Sequence, residues 1–165
     1  MSDAYVRMIS EGVPSDFSHQ MLPASSIYSA VEDFFDEYFR GAVIIDGDRI
    51  APGYLDMSAD GLAFFFKLLF KAAYGESTVK INISSENYFY HIRSQWKKRK
   101  EITEKEIFEL KNAASFAGFN VHYYEEDGSY NFHLWTKIKV SNVLRVYANS
   151  FQTFRHTLTR VFFLT

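Results

Sequence analysis

The dipeptide Asp127-Gly128 is the sequence feature that most restricts how this chain can fold. It separates two segments with strand character, Phe119–Glu125 and Tyr130–Val140. Asp-Gly between two such segments predicts a two-residue β-hairpin, because both residues tolerate a positive φ angle. A hairpin makes its two strands antiparallel, so at least part of the sheet must be antiparallel.

The rest of the chain alternates between strand and helix patterns. A second hairpin is predicted around Glu86-Asn87, between the alternating segment Val79–Ser84 and a strand over Tyr88–Arg93. A short strand is predicted over Ala42–Ile45. Helical spacing of apolar residues predicts four helices, over Ser25–Phe39, Ser58–Tyr74, Thr103–Ala117 and Ser141–Phe163. This order predicts an α+β fold, a two-layer sandwich with helices on one face of a mixed, mainly antiparallel sheet and an extra C-terminal helix.

Length and composition fit one packed domain. The chain has 165 residues, of which 47% are hydrophobic and 18% aromatic, enough to fill a single core. We expect an N-terminal arm over residues 1–22, a domain over 23–140, and a C-terminal helix of the same domain over 141–165. The chain has no cysteine, which excludes disulfides and cysteine-ligated zinc. No apolar segment has signal-peptide or membrane-spanning length, so we expect a cytoplasmic protein that does not contact membranes.

Three segments resemble the ATPase domain of histidine kinases, in the superfamily that includes gyrase, the Hsp-type chaperones and the mismatch-repair ATPases. Asp60–Gly75 is similar to the family's N-box helix, in which an acidic residue precedes Asn-Leu-Leu-x-Asn-Ala. Phe108–His122 is similar to its late helix, glycine and strand, and Trp135–Lys139 is similar to the end of its final strand. The resemblance covers roughly residues 42–139 and implies the same two-layer fold.

The residues that this family uses to bind ATP differ here. Lys67 and Lys71 stand at the two N-box asparagine positions, and an ammonium group has no lone pair for the Mg²⁺ ion that those asparagines hold. Ile92–Lys100 stands where the family's adenine-binding Asp-x-Gly-x-Gly motif would be, and it contains neither Asp nor Gly. The family's glycine-rich ATP lid is also missing. The resemblance therefore implies a degenerate relative, for which we expect no catalytic residues, no cofactor and no ATP binding.

Lys67 and Lys71 could instead bind an anion directly. They are four residues apart, so they share one face of the predicted helix. The alternative is a polar stripe on an otherwise buried helix, with packed lysine stems and ammonium groups in water. We favour the polar stripe, because such a pattern is common.

A basic segment after the second hairpin could bind nucleic acid. Its residues are Arg93, Trp96, Lys97, Lys98, Arg99 and Lys100. The cations could contact phosphates while the indole stacks on a base. The alternative is a solvated loop paired with Glu101, Glu104 and Glu106. We favour the loop, because the net charge of −2 provides no wider positive field.

Histidines are the only candidates for a metal site. A two-residue turn at Asp127-Gly128 places His122 directly opposite His133, about 5 Å away. No third ligand stands at an obvious position, and zinc sites need three or four protein ligands. We therefore expect no metal, and interpret the pair as two rings in contact on one face of the sheet.

Strand parity predicts an open sheet face that is rich in aromatic and histidine side chains. Its predicted residues are Asn82, Phe89, His91, His122, Tyr124, His133 and Trp135. The C-terminal helix carries an apolar stripe that also needs a partner, formed by Leu144, Tyr147, Phe151, Phe154, Leu158 and Val161. Either this helix covers the open face of its own sheet, or it packs against a second copy in a homodimer. The short connection after Val140 favours the homodimer, with Tyr124 and Trp135 in the same interface.

The leading functional hypothesis is a non-catalytic, ATPase-like module that acts by protein–protein interaction in bacterial regulation. The regulatory part rests on the resemblance alone. Two alternatives stay open at this stage. One is an ATP-binding kinase or ATPase with unusual ligands, and the other is a weak nucleic-acid binder that uses residues 93–100.

Overall fold

A computed structural model describes residues 19–73, 78–140 and 150–163 of the chain. The first half contains β1 (Gln20–Pro23), α1 (Ser25–Tyr38), β2 (Val43–Gly47), β3 (Tyr54–Met57) and α2 (Ala59–Ala73). The second half contains β4 (Val79–Glu86), β5 (Phe89–Lys97), α3 (Glu104–Ala117), β6 (Asn120–Glu126), β7 (Ser129–Lys137) and α4 (Ser150–Phe162). These elements form an α+β sandwich, so the predicted fold class is confirmed.

The main sheet has five strands in the order β2-β4-β5-β7-β6. β2 runs parallel to β4, and the other three neighbouring pairs are antiparallel. The sheet is therefore mixed and mainly antiparallel, as predicted. A separate antiparallel pair joins β1 to β3, with Leu22 opposite Leu55.

Both hairpins turn on residues with positive φ. Asp127 and Gly128 have φ angles of 50° and 73°, and Glu126 pairs with Ser129 as the dipeptide predicts. In the other hairpin Glu86 pairs with Phe89, so the turn residues are Asn87 and Tyr88 rather than Glu86 and Asn87. Asn87 adopts a left-handed conformation readily, whereas a tyrosine such as Tyr88 seldom does. The sequence therefore locates this turn to within one residue.

Three strands, β1, β3 and β5, depart most from the prediction. β1 lies partly in the segment predicted as an arm, and β3 lies where no strand was predicted. Each has four residues, too few for alternation to be visible in the sequence. β5 continues to Lys97, beyond the predicted end at Arg93. The start of the basic segment is therefore part of the sheet.

The core lies between the sheet and the helices. The helix-covered face of the sheet is buried, with Ile81, Ile83, Tyr90, Ile92, Phe132 and Leu134 at most 1% exposed. α2 packs on this face through Phe65, whose ring lies 6.1 Å from that of Phe132. α2 also contacts α3 and α4, which explains why ten of its fifteen residues are buried.

The C-terminal helix belongs to the helical layer of its own chain. α4 packs against α1 and α2, and Phe154 and Leu158 are fully buried there. Arg155 pairs with Asp33 at 2.7 Å. This position differs from both expected arrangements, because α4 neither covers the open face of the sheet nor keeps these side chains free for a second copy. Leu144 and Tyr147 lie outside the described residues, as does the side chain of Phe151.

None of the helices within the described ranges combines the length and the apolar character that a membrane crossing needs.

Candidate functional site

A small cavity lies where α2 and α3 diverge. At one end the two helices are in close contact, since a Cβ atom added to Gly61 would lie 2.9 Å from the Cα of Ala117. Towards the other end they leave a cavity of about 230 Å³. It is lined by Leu68, Lys71, Ala72, Thr103, Lys105, Glu106, Glu109 and Leu110. Glycine at position 61 thus allows the two helices to touch at one end, and charged side chains line the space between them at the other.

The two lysines of α2 have different surroundings. Lys67 donates a hydrogen bond from Nζ to the carbonyl oxygen of Val161, 3.0 Å away in the last turn of α4. Burial lowers the pKa of Lys67, and the positive charge of Lys71 lowers it further. Lys71 is exposed and lines the cavity. The anion-binding hypothesis for the pair therefore keeps only Lys71, because Lys67 is used to hold the end of α4.

The first turn of α3 is capped by its own side chains. Thr103 accepts a hydrogen bond from the Glu106 amide at 3.1 Å, and Glu106 accepts one from the Thr103 amide at 3.0 Å. These two bonds form a capping box, with Glu104 as a second acidic residue in the first turn. Carboxylates here satisfy the positive end of the helix dipole, and they oppose the approach of an anionic ligand.

Glu109 is the residue of this site that the sequence interpretation missed. It is 6% exposed, and its Oε1 atom has no hydrogen-bond partner. A buried carboxylate normally has a partner, since removing it from water without one is costly. The available sequence signal was its spacing, because Glu109 lies four residues before Ala113 in the stripe that α3 buries.

The basic segment does not form a common binding surface with Trp96. That indole is 3% exposed and stacks parallel to Phe132, with ring centres 6.0 Å apart. It is therefore not available to stack on a base. Lys98 pairs with Glu125 at 3.0 Å rather than with the predicted glutamates before and in α3. Arg93 donates to Ser84 Oγ across the sheet at 3.1 Å.

The remaining cations of this segment stay close to solvent. Lys97 is exposed at the end of β5, and Arg99 and Lys100 are exposed in the connection to α3. The acidic first turn of α3, with Glu104 and Glu106, follows them in the chain. The solvated-loop interpretation fits these exposed cations better than a continuous nucleic-acid surface does.

A histidine pair lies on the open face of the sheet. His122 is opposite His133 in the β6–β7 register, as predicted. The direct contact, however, joins His91 Nδ1 and His133 Nε2, 2.9 Å apart. Burial lowers the pKa of His133 to about 4, and the charges of Arg93, His91 and His122 add to this. Burial also lowers the pKa of His91, so both imidazoles are neutral near pH 7 and one donates to the other.

Aromatic rings surround this histidine pair. Trp135 lies 4.9 Å from His133, and Tyr124 stacks on His122 at 5.4 Å between ring centres. Among the described residues, no three His, Asp, Glu or Cys side chains are grouped so that they could hold a metal ion. The face is therefore an aromatic and histidine surface, which we call the open sheet face; its residues are Asn82, Phe89, His91, His122, Tyr124, His133 and Trp135.

Comparison with solved structures identifies the fold. The histidine kinase AdeS of Acinetobacter baumannii is similar with a TM-score of 0.54 and 12% identity, over 82% of this chain and 74% of that one. The histidine kinase domain of the E. coli osmosensor EnvZ is similar with a TM-score of 0.53 and 10% identity, over 82% and 97%. The chain has a histidine-kinase-like ATPase fold.

A third similar structure contains two proteins. It is histidine kinase ThkA in complex with the response regulator protein TrrA, with a TM-score of 0.59 and 11% identity, over 83% of this chain and 47% of that one. No protein-family model matches the sequence, and no curated protein matches it. The likeness is therefore one of fold, and the chemistry of this chain has to be argued from its own residues.

Within the histidine-kinase-like fold, the cavity lies beside the helix that resembles the N-box. α2 is that helix, and residues 98–103 form the short connection between β5 and α3. The cavity combines Lys71 from the N-box position with Thr103 and Glu106 from the capped start of α3. Of the segments compared with the family's ATP site, only the N-box-like helix lines this cavity, and Ile92–Lys100 does not.

Proposed function

We propose that this chain is a non-catalytic, histidine-kinase-ATPase-like module that acts by binding another protein in bacterial regulation. The observation that carries the proposal is the bond between Lys67 and the Val161 carbonyl. The family's N-box uses this position for a magnesium ligand. Here the side chain is a cation that stabilises the chain's own C-terminal helix, which supports a structural rather than a metal-binding role.

The size and charge of the cavity also support the absence of ATP chemistry. Small-molecule sites usually have volumes of about 300–1,000 Å³. The cavity between α2 and α3 has about 230 Å³, and the acidic capping box of α3 lies on its wall. A triphosphate would have to displace or repel Glu106 in order to reach the amide groups of that helix.

The open sheet face supports a protein partner. Phe89 is 37% exposed, and His91, Tyr124, His133 and Trp135 are half-buried on the same face. Aromatic rings with polar edges are enriched in protein interfaces. The similar kinase ThkA has been solved with a response regulator, which is a precedent for protein binding by a relative in fold.

Calorimetry with ATP and ADP tests the non-catalytic half of the proposal. We expect no saturable heat with either nucleotide, with or without Mg²⁺. The same titration of a Lys67→Asn, Lys71→Asn double variant asks whether the two lysines alone prevent metal binding. Micromolar affinity of the unmodified chain that depends on Mg²⁺ would refute the proposal.

Site-specific photo-crosslinking in the native host tests the protein-binding half. A photoreactive amino acid at Tyr124 should yield one defined protein adduct. The matched control is the same amino acid at Lys111, which is exposed on α3 away from the open sheet face. Trp135→Ala should weaken the Tyr124 adduct. An identical set of adducts from both positions, or no adduct from Tyr124, would contradict binding through this face.

A further inference from the structure

We infer that two copies of this chain pair through the free edge of β6, antiparallel and centred on Tyr123, so that their sheets join into one continuous sheet. This dimer goes beyond the proposed function, and its tests use the purified chain alone, so they do not depend on another protein. The inference begins with the place of β6 at one edge of the five-stranded sheet.

The backbone of β6 has a row of hydrogen-bonding groups that its own sheet does not use. Among the described strands β6 pairs only with β7, and the two-residue turn makes Glu126 and Ser129 the closing pair of that hairpin. A closing pair exchanges both of its hydrogen bonds, and such bonds recur at every second residue. The amide and carbonyl groups of Val121, Tyr123 and Glu125 therefore point away from β7. In the described part of the chain, no other backbone group bonds to them.

The side chains of these three residues are held by their own chain. Val121 packs against the core, and the Tyr123 ring lies 4.9 Å from the ring of Phe132. Glu125 accepts a hydrogen bond from the Tyr123 hydroxyl at 3.0 Å and pairs with Lys98 at 3.0 Å. The strand is thus fixed by contacts within one copy, so little ordering is needed before a second strand pairs with its edge.

The opposite edge of the sheet is bonded to a helix of its own chain. The carbonyl oxygen of Ile45 in β2 accepts a hydrogen bond from the Tyr28 hydroxyl of α1 at 3.4 Å. Arg49, which follows β2, pairs with Glu32 of the same helix at 2.7 Å. Natural sheets often cover an edge in this way, which prevents pairing with another chain. Of the two edges, β6 is therefore the one suited to a second copy.

One register pairs all three outward-facing residues of β6 with those of a second copy. In an antiparallel pair centred on Tyr123, this residue faces its equivalent, and Val121 faces Glu125 of the second copy, which gives about six hydrogen bonds. A centre at His122 or Tyr124 would make one of the three face a residue outside β6. The pair centred on Tyr123 has a twofold axis, as most homodimers do.

The same register brings compatible side chains together. On the open sheet face His122 faces Tyr124 of the second copy, and Asn120 faces Glu126, whose carboxylate can accept from the amide. A centre at Glu125 would instead place two like charges directly opposite each other, which destabilises a strand pair. Side-chain charge thus favours the register that the backbone favours. In this dimer the open sheet faces of the two copies form one surface.

Sedimentation equilibrium of the purified full chain tests whether it dimerises. We expect a reversible dimer that is substantially populated at about 100 μM, since the pairing area is small. A chain that stays monomeric up to about 1 mM would overturn the inference and leave this edge to a segment of another protein.

Two replacements of Glu125 test whether the edge of β6 makes the dimer. Glu125→Pro removes one outward amide from each copy and should weaken the dimer about thirtyfold, because two hydrogen bonds are lost. Proline is tolerated at an edge position whose N–H does not bond within the sheet. Glu125→Thr is the matched control, since it removes the same carboxylate and keeps the amide; its dimer should stay within about threefold, because an exposed ion pair contributes little. Equal dimerisation of the two variants would refute pairing through β6.

Introduced cysteines test the register and do not depend on the folding of the proline variant. The chain has no cysteine, so a disulfide can form only at the introduced positions. In a glutathione buffer, His122→Cys and Tyr124→Cys chains should form a mixed disulfide, because facing Cα atoms lie about 4.5 Å apart. The control mixes His122→Cys with Lys80→Cys chains, since Lys80 is exposed on β4, away from β6. We expect the first mixture to react at least about tenfold faster, and equal rates would refute the register.

Discussion

The two faces of the five-stranded sheet differ strongly in how far they bury neighbouring residues of one strand. Phe132 on β7 is fully buried beneath the helices, where its ring contacts Phe65 and Trp96. His133, the next residue, points to the opposite side and is half-buried beside Trp135. One face is therefore a packed core, and the other is a surface on which polar and aromatic groups coexist.

The two sides of the sheet also differ in whether polar side-chain atoms have hydrogen-bond partners. In the part of the chain that the structure describes, the buried side-chain atoms without a partner are Tyr90 OH, Ser94 Oγ and Glu109 Oε1, all on the helical side. The histidines of the open sheet face instead contact one another or solvent. A polar group is thus costly on the helical side and inexpensive on the open face, and the following predictions test that difference.

The largest effect is expected from truncating adjacent residues of β7. Phe132→Ala should lower the free energy of unfolding by about 3–5 kcal/mol, because it leaves a cavity in the core. His133→Ala should lower it by less than about 1 kcal/mol, because this residue lies on the open face. Urea unfolding measures both. Similar losses in the two variants would contradict the distinction between the faces.

Replacing each of the two lysines of α2 should change stability by different amounts, because Lys67 is hydrogen-bonded to α4 and Lys71 is exposed. Lys67→Met should destabilise the chain by about 1–2 kcal/mol, since the Val161 carbonyl at the end of α4 loses its charged donor. Lys71→Met should change stability by no more than about 0.5 kcal/mol, because the side chain is exposed. Thermal and urea unfolding provide the comparison, and an equal effect of both replacements would argue against the role of Lys67.

The two glutamates that line the cavity should respond with opposite sign. Glu106→Ala removes half of the capping box and should cost about 1 kcal/mol. Glu109→Leu removes a buried carboxylate whose Oε1 atom has no hydrogen-bond partner, and should stabilise the chain by about 1 kcal/mol. Unfolding midpoints at constant pH measure both changes. A loss of stability in folded Glu109→Leu would indicate that Glu109 has a stabilising partner.

The smallest effect is a pH dependence that comes from the open face. Burial, Arg93 and the neighbouring histidines lower the pKa of His133 to about 4 from its ordinary 6.5. The unfolded chain therefore binds this proton first, and the contribution of His133 to stability is lost as the pH falls from about 6.5 towards 4. His133→Asn should make the unfolding midpoint less sensitive to pH across this window. An unchanged slope would show that His133 titrates normally in the folded chain.

Most of the fold could be predicted from local patterns. Hairpin turns, helix periodicity and strand alternation gave the fold class, the register of His122 with His133 and the two faces of the sheet. The short strands β1 and β3 could not be predicted, because four residues are too few to show a period. The extension of β5 to Lys97 was not predicted, because the basic residues around Trp96 are typical of a solvated loop. Trp96 is nevertheless a core position of this strand.

The candidate site was less predictable, because it depends on which elements meet. Lys71 and the capping box of α3 were visible in the sequence, and both line the cavity. Glu109 was not singled out, since a glutamate on a helix is normally solvated. It is buried because it belongs to the stripe that α3 packs against the core, together with Leu110, Ala113, Ala114 and Ala117.

The sequence by itself determined the longer elements, their order and the side of the sheet to which their residues point, because turn chemistry and side-chain period act over a few residues. Only the tertiary structure decided what those side chains meet. Lys67 finds its acceptor 94 residues away on α4, and His91 meets His133 across 42 residues, since β5 and β7 are neighbours in the sheet. Such contacts follow from strand order and helix packing, which many distant residues set together and which no local pattern specifies.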